Sequence, residues 1–175
     1  MKYKLILLFA LFISCKTIKK DGPIDVIVKT VPRIKPVPKG PVPAYKPLST
    51  YNGDTLNYVK QNFIDRRAAY IDKPLSILLK DLELTVKDFS SGSAGVNPNE
   101  DIVLSLEFYS YLQKKSKIAA KTTPSTIIIN WKTPLPVTET IPFIKKGKWS
   151  DEAQAYFGKQ LVADIDMEDY GFDKK

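Results

Sequence analysis

The amino-acid pattern predicts an α+β fold: one small antiparallel sheet of about three strands, helices packed on one of its faces, in the order α-α-β-β-β-α. Three observations point there. Apolar residues recur at helical spacing over 55–66, over 74–82 and again after Ser150, and they alternate with period two over 102–112. Of the 13 prolines, seven fall between Pro23 and Pro47, ahead of all these segments. The folded part is therefore expected at 51–175 as a single domain, behind a proline-rich N-terminal region.

In chain order, Lys2 and Lys4 give a short positive start, Leu5 to Ile13 is an uninterrupted apolar run, and Ser14-Cys15 closes it. That succession is the layout of an export signal. The run is nine residues long, and Lys16, Lys19 and Lys20 follow at once, whereas a bilayer-spanning helix takes about 20 apolar residues. Ile13, Ser14 and Cys15 resemble the lipobox of bacterial lipoproteins, with Phe12 standing where leucine is usual. The resemblance covers residues 1–15 alone. It implies that 1–14 is a removed signal peptide and that Cys15, the single cysteine of the chain, is acylated as the new N-terminus. It also implies that the membrane is reached through the lipid on that cysteine. An ordinary secretory cleavage site would show an Ala-x-Ala-like end, and none is present. Each buried acyl methylene contributes about 0.8 kcal/mol, so two or more chains hold a protein on a bilayer stably. Lys16 stands where the best-known sorting rule wants aspartate for inner-membrane retention, which favours the outer membrane of a cell envelope.

Residues 15–50 are expected to form a tether. They carry eight basic side chains against Asp21 and Asp25, while 51–175 holds 17 basic and 17 acidic ones. The overall net charge of +8 thus belongs to the N-terminal region. A nucleic-acid binder carries its basic patch on the folded domain, so that class is set aside. Val31 to Pro43 alternates proline with apolar or basic residues; proline fixes φ and removes a donor, so polyproline II is the default. At about 3.1 Å per residue, Pro32 to Pro47 would make a spacer on the order of 50 Å long. Ile24 to Val31 is β-branched enough to add as an edge strand to the domain or to a partner.

Within the domain, Asn52-Gly53-Asp54 supplies a turn and an N-cap, and Leu56, Val59 and Phe63 predict a helix over 55–66. Pro74 opens a second with Leu75, Leu78, Leu79 and Leu82 on one face. A strand is expected at 84–89, then a loop over 90–99. Over 102–112, Ile102, Leu104, Leu106, Phe108 and Leu112 face the core, and Val103, Ser105, Glu107, Tyr109 and Tyr111 face away. A basic loop follows, and 126–131 is apolar on both faces, as a central strand should be, with Pro134 and Pro136 ending it. Ser150 caps a last helix carrying Ala153, Tyr156, Phe157, Leu161 and Ile165. Gly158 inside that helix costs up to about 1 kcal/mol against alanine, which predicts a close contact there. An acidic, frayed tail follows.

The chain has no histidine, which removes the commonest general base and zinc ligand. Ser91-Gly-Ser-Ala-Gly95 has the wrong spacing for a nucleophile elbow, and no phosphate-binding glycine loop occurs. The acids from Asp164 to Glu168 resemble part of a calcium loop, but Asp169 and Lys175 stand where the EF-hand needs glycine and glutamate. No catalytic, metal or cofactor site is therefore assigned. Tyr109 and Tyr111, with Trp131 beside them across the sheet, are the candidate binding surface, an aromatic platform for a glycan or an envelope protein. The lysines at 114, 115, 117 and 121 could meet lipid headgroups, with solvation the plainer role. The reading is a membrane-anchored envelope lipoprotein with a non-catalytic binding or assembly-accessory domain. The alternatives are a small carboxylate-based hydrolase and a purely structural spacer.

Overall fold

A computed structural model describes residues 35–93 and 97–172. The expectations for Cys15 and for the strand at 24–31 lie outside these residues.

The fold is α+β, with four strands in one antiparallel sheet of order β1-β2-β3-β4. The strands are β1 (Asp88–Gly92), β2 (Glu100–Glu107), β3 (Thr126–Pro136) and β4 (Val162–Asp166). The alternation read in the sequence sets the inward face: Phe89 pairs with Leu106, Leu106 with Ile127, Leu104 with Ile129, and Ile129 with Ile165. All of these side chains are buried. Helices α1 (Thr55–Val59), α2 (Leu75–Asp81) and α5 (Asp151–Phe157) supply Tyr58, Val59, Leu75, Leu78, Ala153 and Phe157 to the same core.

The first helix starts where its cap predicts, with the Asp54 side chain accepting from the Asn57 N–H. It then widens into a π turn, Lys60–Ile64, and a 3₁₀ turn, Arg67–Ala69. The π turn buries Asn62 together with Phe63.

Several boundaries differ from the sequence reading. The first strand is displaced to 88–92; Leu84 and Val86 ahead of it pack against the core without joining the ladder. β2 stops at Glu107, because Ser110 caps a helix, α3 (Tyr111–Ala119), in the stretch read as a basic loop. Ser110 accepts from the Gln113 N–H while the Gln113 side chain accepts from the Ser110 N–H, a reciprocal capping box that was legible as Ser-x-x-Gln. β3 runs on through both prolines to Pro136, since Pro134 lies in the irregular gap of the β2–β3 register between Asn130 and Leu135, and Pro136, opposite Glu100, is the strand's last residue. Helix α4 (Val137–Lys146), which the sequence reading did not contain, follows directly and ends on Gly147 at φ 64°. The last helix stops at Phe157, and 162–166 pairs with β3 as a fourth strand. Phe157, Leu161 and Ile165 satisfy helical spacing, yet Val162 opposite Trp131 and Ile165 opposite Ile129 are buried only if the segment is extended.

Gly158 therefore ends α5 instead of lying within it. Its carbonyl accepts from the Ser76 N–H at 2.9 Å, joining α5 to α2. A Cβ there would come within 2.5 Å of the Gln154 carbonyl oxygen and 3.6 Å of Ser76 Cβ. The close contact expected at this glycine is present.

The larger departure concerns the tether. Residues 35–48 are laid along the helical side of the domain and bonded to it repeatedly, so this part of the expected spacer does not extend away. The polar atoms that proline leaves free, its carbonyl oxygens, find donors on the domain.

Candidate functional site

The docked segment has a seat built from the residues that close the first helix. At its N-terminal end the Lys35 N–H donates to Asp164 Oδ2 at 2.9 Å, and the Lys35 ammonium meets Asp166 Oδ2 at 2.5 Å. Asp164 is only 2% exposed and pairs with Arg67 at 3.3 Å, so its charge is compensated inside the fold. Arg67 turns its other nitrogen to the Pro36 carbonyl at 2.6 Å. Arg66 Nε donates to the Pro43 carbonyl at 2.8 Å, and the Asn62 amide brackets Lys46, accepting from its N–H and donating to its C=O. The Arg66 guanidinium also lies over the rings of Tyr45 and Tyr70.

The Tyr45 hydroxyl sits 2.7 Å from both the Asp81 carbonyl and Glu83 Oε1, and 3.1 Å from the Tyr58 hydroxyl. Burial, the hydrogen bonds with Tyr58 and Glu83, and the neighbouring negative charge push its ionisation well above the ordinary phenol range. Tyr70, buried and donating to Asp81 Oδ2, is raised likewise. Tyr45 is the neutral phenol that joins the segment to the C-terminal end of α2, and Tyr70 ties Asp81 there to the residues of the first helix.

The three aromatics proposed as a platform are not brought together. Trp131 is 5% exposed, and its indole stacks on Phe157 at an interplanar angle of 3°. The other indole, Trp149, stacks on Phe157 as well. Trp131 belongs to the core because it points to the helical face of β3, alongside Ile127 and Ile129. Tyr109 lies beyond the end of β2, where its hydroxyl meets Thr55 Oγ1 at 2.5 Å and the Lys117 ammonium lies 4.6 Å from its ring centre. Tyr111 is the first residue of α3 and is 70% exposed. The cause is the same for both tyrosines: the strand ended before them, so the period-two count that put them on one sheet face no longer applied.

What the sequence reading missed at this end is the pair Tyr111-Leu112. Period-two alternation puts Leu112 in the core as the last inward residue of a strand; in the structure it is 74% exposed. The Ser110 capping signature was the signal that could have found it. Lys114 on the same helix turns back to Glu107 at 2.8 Å and Glu168 at 3.4 Å. Burial alone would lower its ionisation, but the bond to Glu107 and the charges of Glu107 and Glu168 hold it well above the ordinary lysine value.

Two further features carry buried or concave polar groups. Asp101, buried at the start of β2, accepts on one oxygen from both Ser91 of β1 and Thr140 of α4. It ties three elements together, with both donors used up in doing so. An open groove of about 810 Å³ runs between α2 and α5, lined by Pro74, Ser76, Leu79, Lys80, Gln154 and Lys159 among others. The acids of the supposed calcium segment begin in β4, where Asp164 and Asp166 are engaged with Arg67 and Lys35. Among the described residues no group of three or more potential ligands is clustered for a metal ion. No family model, no curated protein and no solved structure matches the chain.

Proposed function

We propose that the chain is a membrane-anchored cell-envelope lipoprotein whose domain works by binding, as a partner-holding or assembly-accessory module. The observation that carries the reading is the opening of the sequence: two lysines, a nine-residue apolar run, then Ser14-Cys15, with that cysteine the single one in 175 residues. A lone thiol in an exported protein calls for a chemical use, and acylation is the one its position supports. The balance of the 51–175 region, with equal numbers of acidic and basic side chains, fits a domain brought to its site by the anchor and not by its own charge.

Fatty-acid labelling and fractionation of the wild type and Cys15→Ala test the anchor. The wild type takes up label and sediments with membranes, and the variant takes up none. Absence of label in the wild type, with the variant still membrane-bound, would overturn the reading. Crosslinking in the native membrane tests the binding role; capture of neither protein nor glycan by a stably folded domain counts against it.

A further inference from the structure

We propose that the exposed face of α3 is a membrane-contacting surface, with Tyr111 and Leu112 seated among anionic lipid headgroups. The inference rests on the anchoring proposed above, and it changes how the domain is held: against the bilayer instead of clear of it.

Three observations meet at this helix. First, Tyr111 and Leu112 are by a wide margin the most exposed large apolar side chains among the described residues, at 70% and 74%, and α3 buries none of its own residues. A Tyr-Leu pair on one turn, with nothing of the fold covering it, matches a headgroup boundary, where an amphipathic ring and an aliphatic chain both gain. Second, basic charge lies beside it: Glu107 and Glu168 are paired with Lys114, and two more lysines of the helix region stand apart from that pair. Lys115 lies one turn from Tyr111 on the same side of the helix, and Lys121 follows at the helix end; both are exposed. Lysines in that position attract an anionic leaflet and can keep their heads in water above a seated apolar pair.

Third, the described chain begins at the same end of the molecule. Lys35 is bonded to Asp164 and Asp166 of β4, and Asp166 stands opposite Ile128, two residues into β3. α3 enters that same end of the sheet, between Glu107 and Thr126, and Lys114 pairs with Glu168, two residues past Asp166. The chain between Cys15 and Lys35 therefore starts from the α3 end. It has 19 residues, 16–34, and can reach at most about 65 Å. The anchor thus permits α3 to lie on the surface that holds Cys15, and the docking of 35–48 removes the rest of the expected spacer.

The test uses the full chain carrying Cys15→Ser, so that the apolar run 5–13 holds it to vesicles without an acyl group and a nitroxide has a single target. The label is placed at Leu112→Cys or, as a reference, at Asn99→Cys, beyond the far end of β2 and about 25 Å from Glu107. On vesicles of mixed phosphatidylglycerol and phosphatidylethanolamine, the label at 112 should become several-fold more accessible to oxygen than to a water-soluble nickel chelate, while the label at 99 stays aqueous. Adding Lys115→Glu and Lys121→Glu, or replacing the anionic lipid by phosphatidylcholine, should return the label at 112 toward water; circular dichroism checks that the fold is kept. A label at 112 that stays aqueous on bound chain overturns the proposal and leaves the patch to a protein partner. Burial at 112 that ignores lipid charge overturns the role of the lysines. Because this chain has no acyl group, the result is independent of whether Cys15 is lipidated, which the labelling experiment answers by itself.

Discussion

At the scale of single residues, three positions carry more than their surroundings suggest. Asp101 is a buried carboxylate whose donors, Ser91 and Thr140, come from β1 and α4. Replacing it with alanine takes the acceptor from the half-buried Ser91 hydroxyl and leaves buried Thr140 only the Val137 carbonyl at 3.3 Å, at about 1–3 kcal/mol for each group left unpaired. Asp101→Ala is expected to lower the urea midpoint by the equivalent of about 2–3 kcal/mol with the slope unchanged; a midpoint within experimental error of the wild type would show that the clasp contributes nothing. Gly158 closes α5, where a Cβ would press on the Gln154 carbonyl one turn back, and its own carbonyl takes the Ser76 N–H of α2. Asn62 satisfies both backbone groups of Lys46 with one amide, which no shorter or apolar side chain can do.

At the scale of elements, the docked segment 35–48 and helix α3 are the two that reshape the functional question. Apart from Tyr45 and Leu48, which pack partly buried against the core, the segment is exposed. It is held by carbonyls and amides meeting Arg66, Arg67, Asn62 and Asp164 and by the Tyr45 hydroxyl at Asp81 and Glu83. Such a piece opens locally at a cost set by those few bonds. Removing the Asn62 bracket by Asn62→Ala should therefore speed hydrogen exchange at the Lys46 amide, which donates to Asn62, by roughly tenfold, the equivalent of about 1.4 kcal/mol of local opening. Exchange at the wild-type rate would mean that Lys46 is held by something else. Helix α3 shows the opposite balance. Its capping box fixes where it starts, and its length leaves Tyr111 and Leu112 outside the fold.

At the scale of the molecule, the several phenols held neutral give the stability a direction with pH. Tyr58 and Tyr70 are buried, and burial raises the ionisation of both, while Tyr170 is pushed up to about 12 by burial and by its bond to Glu168. The folded chain then keeps protons that the unfolded chain gives up near about pH 10, so the stabilisation is complete below that value and falls as pH rises through the folded ionisations. Each fully buried phenol contributes a slope of about 1.4 kcal/mol per pH unit in that window. Urea midpoints followed with tyrosinate absorbance should decline steeply from about pH 10 upward and be nearly flat from about pH 8 to 9.5; ionisation of all nine tyrosines near about pH 10 without loss of the fold would contradict the network.

The sequence by itself determined the fold class, Leu104 and Leu106 as inward residues of β2, and the caps at Asp54 and Ser150, because period and capping are local properties that one chain segment displays alone. The capping box at Ser110 was equally local and equally readable. What only the tertiary structure decided has a different cause. Residues 162–166 match a helix in spacing and became β4, because β3 offered an unpaired edge and burial opposite Trp131 and Ile129 outweighs propensity. Trp131 went to the core because Phe157 arrived to cover it. The proline-rich segment was extended as its composition requires, yet whether extended chain lies free or against a surface depends on where donors stand. Arg66, Arg67 and Asn62 are brought into line only by the turns that close the first helix.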